Sequence, residues 1–165
     1  MARHPSDRED LLRDATAYVN RVQLLVTSEA DALEVFIGFR PGGSASFYFD
    51  QDPVYHFNAT GKLRRAFVDD RILKAESGKL VSWNRTHRAN EVVMVRTELL
   101  PDQQEAFIHR LNDRLADLQT RLASNDYRVV GEVQRESDIS VIDLAITFMA
   151  KRKEVEIADS PGVHG

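Results

Sequence analysis

Two carboxylates and an imidazole stand close together in the first third of the chain: Asp50 and Asp52 flank Gln51, and His56 follows four residues on. Carboxylate oxygens and an imidazole nitrogen suit Mg²⁺, Mn²⁺ or Zn²⁺. In an extended segment Asp50 and Asp52 lie on one side, and His56 falls on the next strand, so the three make a candidate metal site. The same residues also read as a plain turn, with Asp side chains bonding nearby backbone and Pro53 setting φ. His56, between Tyr55 and Phe57, equally suits a hydrogen-bonded histidine inside a sheet.

A second constellation is electrostatic. The chain carries 22 Lys and Arg against 26 Asp and Glu, a net charge of −4. That balance is uneven. Residues 1–60 hold five basic and nine acidic side chains, residues 61–88 eight basic and three acidic, and residues 98–145 five basic and ten acidic. The middle of an acidic chain is therefore a basic island. Within it Lys79, Val81, Trp83 and Arg85 alternate onto one side of a strand. A Trp between cations stacks a ring beside a phosphate. Arg64, Lys79, Trp83 and Arg85 are accordingly the candidate ligand-binding residues, for an anionic small molecule or nucleic acid. Adjacent Arg64 and Arg65 must point to opposite faces unless a bulge intervenes. The competing reading is structural, since basic strands also blunt sheet edges or pair with the acidic helix. Duplex DNA binding would normally go with a more basic domain.

Other chemistries fail on their residues. With no Cys there is no disulfide framework, thiolate nucleophile or Cys-ligated zinc. Gly61-Lys62 and Gly78-Lys79 lack the Ser or Thr and the upstream Gly of a phosphate loop. Ser46 stands where a nucleophile elbow needs its second Gly. The five His residues show no i,i+4 pair. The six residues from Tyr48 to Pro53 superficially resemble the Asp-x-Asp element of archaeo-eukaryotic primase-like polymerases. The later Ser-x-His and Asp elements have no counterpart, so the likeness is set aside. No cofactor and no catalytic set is implied.

These residues need elements to position them. Leu33, Val35, Ile37 and Phe39 alternate at period two, and turn signals recur at Pro41–Ser44, Gln51–Pro53, Ala59–Gly61, Asp69–Asp70 and Ser77–Gly78. Such spacing predicts strands over 33–40, 46–50, 54–58, 63–68, 72–76, 79–85 and 91–99, joined as an antiparallel meander. Ser6 and Glu9 form a capping box before an apolar stripe, predicting a helix over 7–20, with a short strand over 22–26. Pro101 opens the clearest helix, 101–123, on Phe107, Leu111, Leu115, Leu118 and Leu122. A strand follows over 127–133. Residues 139–152 fit both periods and are assigned to a helix, with Asp138 as cap.

The reading is one α+β domain over 1–158, an antiparallel meander of about six to eight strands against an N-terminal helix and a long amphipathic helix, with a flexible tail over 159–165. The aromatic residues Phe36, Phe39, Phe47, Tyr48, Phe49, Tyr55 and Phe57 exceed one core face, so both sheet faces hold aromatics; core packing accounts for them first, with a ligand pocket or a homodimer interface on the second face as the alternatives. No span approaches the ~20 apolar residues of a membrane helix, and the charged start has no apolar leader run, so the expected setting is cytoplasmic with no membrane partner. The leading functional expectation is a non-catalytic binding module on the basic sheet surface of residues 61–88. An oligomeric scaffold, or a metal-dependent enzyme at Asp50, Asp52 and His56, stands as the alternative.

Overall fold

A computed structural model describes residues 18–26, 33–49, 54–68, 71–130, 140–152 and 154–159. The fold is α+β. Eight strands run as a meander: β1 (Asn20–Val26), β2 (Leu33–Phe39), β3 (Ala45–Phe49), β4 (Val54–Phe57), β5 (Leu63–Val68), β6 (Arg71–Glu76), β7 (Lys79–Arg88) and β8 (Glu91–Glu98). Helix α1 (Pro101–Ala123), strand β9 (Tyr127–Val129) and helix α2 (Val141–Ala150) follow. The sheet has nine strands in the order β8-β7-β6-β5-β4-β3-β2-β1-β9. All strand pairs are antiparallel: within the meander the short hairpin connections demand it, and β9 runs antiparallel to β1 as well.

Both helices cover one face. Leu111, Leu115, Leu118 and Leu122 of α1 and Ala145 and Met149 of α2 join Val22, Ile37, Phe47 and Phe57 of the sheet in one core. Each fully buried Leu or Phe there contributes about 2 kcal/mol of transfer free energy. Pro101 sits at the first helical position of α1, and the Gln103 side chain accepts from Leu100 N. Gln104 Oε1 then accepts from Leu80 N at 2.9 Å, tying the first turn of α1 to β7. Among the described residues no helix is long and apolar enough to cross a membrane.

Several boundaries differ from the expected ones. The N-terminal helix expected over 7–20 falls on residues outside those described up to 17. Where the two overlap, Val19 N donates to Phe39 O and β1 begins at Asn20, because pairing with β2 outcompetes the helical stripe. Residues 141–150 are helical, and the cap is Ser140, whose Oγ accepts from Asp143 N at 3.1 Å, rather than Asp138. β9 ends at Val129, and residues 131–133 lie outside the described part. Of the expected tail, Asp159 is described and exposed. Just before it the backbone is clasped into the sheet. Leu63 N donates to Glu156 O, Ala158 N to Leu63 O and Gly78 N to Ala158 O.

Candidate functional site

The face opposite the helices holds a smaller cluster, Tyr18, Tyr48, Val54 and Phe67, with Phe36 and Ile72 packed against it. Strand register runs a line of residues across it. Gly38 pairs with Ser46, Ser46 with His56, His56 with Arg65, and Arg65 with Lys74. Gly38 is needed in that line because the Tyr18 ring lies over it, and a Cβ there would come within 2.7 Å of the ring carbons. The imidazole of His56 is held edge-on between Tyr48 and Phe67, with ring centroids 5.9 and 5.8 Å away.

A bulge brings two arginines to this histidine. The register shifts between His56 and Phe57, so that Phe57 pairs with Leu63 while His56 pairs with Arg65. Arg64 is the extra residue, lying between Leu63 and Ala66, both of which belong to the helix-side core. Its charge reaches both His56 and Arg65. Strict alternation would send Arg64 to the other face; the bulge lifts that constraint.

The hydrogen bonds have a direction. Arg40 Nη1 donates to Ser46 Oγ at 3.3 Å, and Ser46 Oγ lies 2.6 Å from His56 Nδ1. A guanidinium only donates, so Ser46 Oγ accepts from Arg40; its second lone pair and its own proton suit either tautomer of the neutral His56 ring at Nδ1. Arg40 Nη2 also donates to Tyr18 Oη at 3.2 Å, and Tyr18 Oη lies 3.2 Å from Tyr48 Oη. Among the described residues, neither buried His56 Nε2 nor buried Arg65 Nε has a hydrogen-bond partner. Burial first, then the charges of Arg65, Arg40 and Arg64, push the His56 pKa down to about 3. Burial also lowers Arg65, and Arg64 and Arg40 lower it further. His56 Nε2 and Arg65 Nε thus sit on paired strands, in a positive field, with no hydrogen-bond partner among the described residues.

The residues expected to bind ligand are spread across this face. Lys79, Trp83 and Arg85 lie on one side of β7, as alternation requires. Lys79 and Arg85 are about 20 Å apart along the strand at ~3.3 Å per residue. Arg64 sits two strands away, beside His56. Lys74 stands over the Trp83 ring at 5.6 Å. Trp83 Nε1 is buried and meets no acceptor at hydrogen-bond geometry, although it lies near enough to Glu76 to help lower that carboxyl. Glu76 is held chiefly by Arg96, 2.9 Å away. Of the expected metal set, Asp50 and Asp52 lie outside the described residues. Among the described residues no group of three His, Cys, Asp or Glu is placed to hold a metal ion.

Arg40, Ser46, Arg65, Tyr18 and Tyr48 were not singled out by residue type. One signal was available: a hairpin symmetric about position 51 puts Ser46 opposite His56. Compared with known proteins, the chain matches no family model, no curated protein and no solved structure.

Proposed function

We propose that the chain is a non-catalytic binding module for a compact anionic ligand, a carboxylate or a phosphate, taken up on the sheet face by His56 Nε2 and Arg65 Nε. The observation that carries this is a pair of buried nitrogens on paired residues with no partner among the described residues; with its ring proton on Nε2, His56 offers a donor beside Arg65 Nε. Leaving a buried donor unmade costs about 1–3 kcal/mol, and an anion would satisfy both at once. Arg40 and Arg64 add positive charge, which favours an anion over a metal cation at Nε2. The Ser46–His56 contact also has the spacing of a nucleophile and its base. But Ser46 is fully buried, and a histidine with its pKa near 3 is a poor base at neutral pH.

The test is a titration of the wild-type protein with phosphate, acetate, a mononucleotide and a single-stranded oligonucleotide, read by amide chemical shifts and melting temperature. Phosphate or acetate should shift Ser46, His56 and Arg65 and raise the melting temperature. His56→Gln and Arg65→Gln should each weaken binding about tenfold or more. Unchanged binding in both variants overturns the proposal. Oligonucleotide binding that needs Lys79, Trp83 and Arg85 but spares His56 would instead favour the wider β7 surface. Fractionation of the native cell would test the cytoplasmic setting.

A second reading, self-association, draws on the edge strand β8, where Val92 and Met94 are 57% and 40% exposed. Light scattering on wild type and Val92→Lys decides it: a dimer that the variant dissolves supports it, and a wild-type monomer removes it.

A further inference from the structure

On the helix side of the sheet, the face opposite His56, the structure holds a cavity of about 340 Å³. Two hairpin turns form one rim, through Gly43 between β2 and β3 and Gly61 between β4 and β5. Phe39, Leu144 and Phe148 form the apolar wall. Gly61 has φ +85°, and the guanidinium of Arg152 lies directly over it, with Nη1 3.4 Å from where a Cβ would stand.

Arg152 is clamped in place. Its guanidinium stacks on Phe57 and Phe148, at 4.8 and 4.5 Å from the ring centroids, and Nη1 donates to Phe148 O at 3.2 Å. Its Nη2 is buried with no acceptor, and no carboxylate among the described residues pairs with it. Burial alone lowers its pKa to about 10, with no anion pulling it back up. A cation this desolvated without a counter-charge is costly, and its fork is already oriented by two rings and a helix carbonyl.

We propose that this cavity binds an amphiphilic monocarboxylate, its head on the Arg152 guanidinium and its apolar body against Phe39, Leu144 and Phe148. The volume falls in the range of small-molecule pockets, which are mostly apolar with a few convergent polar groups. A guanidinium in the lining with no carboxylate partner among the described residues, and Lys151 beside it, match a carboxylate. A phosphate dianion would leave oxygens against the apolar wall unsatisfied. The site is independent of His56 and Arg65, which lie on the other face.

The experiment titrates the full chain with octanoate, with octanamide as the uncharged counterpart and with acetate as the head alone, read by amide chemical shifts. Octanoate should saturate and shift Gly43, Gly61, Thr147 and Phe148. Octanamide and acetate should bind about tenfold more weakly or worse. Arg152→Gln should bring octanoate down to the octanamide level. Leu144→Trp, which fills the cavity and leaves Arg152 in place, should abolish both. Equal affinity for octanoate and octanamide in the wild type overturns the proposal, and so does the absence of saturable shifts. Octanoate shifts confined to Ser46, His56 and Arg65 overturn it too, while leaving the sheet-face site standing. All three of those readouts use the wild-type protein, so they hold even if a variant fails to fold.

Discussion

His56 and Arg65 face each other across the β4–β5 ladder, and His56 Nε2 and Arg65 Nε are both buried without a hydrogen-bond partner among the described residues. A fold built only for stability has little use for that pairing, since apolar residues of similar volume would pack there without the desolvation cost. Arg65→Met should therefore raise the stability of the unliganded protein by about 1 kcal/mol while abolishing anion-dependent stabilisation. Denaturant melts with and without phosphate check both halves. A variant less stable than wild type in phosphate-free buffer would count against the idea.

His56 also makes stability depend on pH. Its folded pKa is lowered to about 3 from 6.5, so the unfolded chain takes up a proton that the folded protein refuses. Stability from this group is complete above pH 6.5 and falls as the pH drops toward 3. Between pH 6.5 and 5, before most carboxylates titrate, the loss is roughly 1.5 kcal/mol. The difference in unfolding free energy between wild type and His56→Gln, measured at both pH values without added anion, should shrink by that amount on acidification.

Gly38 is a packing site rather than a turn. In Gly38→Ala the new methyl would meet the Tyr18 ring at 2.7 Å and push it off the sheet. A cost of about 1–3 kcal/mol is expected. The Arg40–Tyr18–Tyr48 hydrogen bonds would go with it. Tyr18→Phe removes those bonds and keeps the ring, so it should cost less. Thermal melts of the two variants side by side test the order.

Asn112 Oδ1 accepts from Val155 N at 2.8 Å, fixing the chain beyond α2 to α1. Asn112→Ala should cost about 1 kcal/mol. It should also speed amide exchange at Leu63 and Ala158, which bond to the same segment, while leaving Leu111 and Leu118 unchanged.

Much of the fold was legible because local periods and tertiary demands agree. Val35, Ile37 and Phe39 alternate and are buried, and Leu111, Leu115, Leu118 and Leu122 repeat at helical spacing and are buried. The candidate site was legible only in part, because it is made by register. Arg64 and Arg65 read as opposed residues until a bulge, a property of the β4–β5 pair rather than of either strand, lets both act on His56. In the sequence Arg152 is the middle one of three consecutive basic residues, Lys151 to Lys153. Its position over Gly61 joins segments more than half the chain apart, and no local pattern encodes that contact.

The clasp of Leu63 by Glu156 and Ala158, and the pairing of β9 with β1, set an order of events during synthesis. Each of the first eight strands pairs with its neighbour in sequence, so the meander can form as it leaves the ribosome. The helices that cover it, the strand that closes its β1 edge and the segment that locks Leu63 all come afterwards. At that stage the nascent chain presents an uncovered apolar sheet and an open strand edge, the two features that make a folding intermediate stick to itself. Arrival of residues 141–158, rather than strand pairing, is then the step that completes the cover over the sheet.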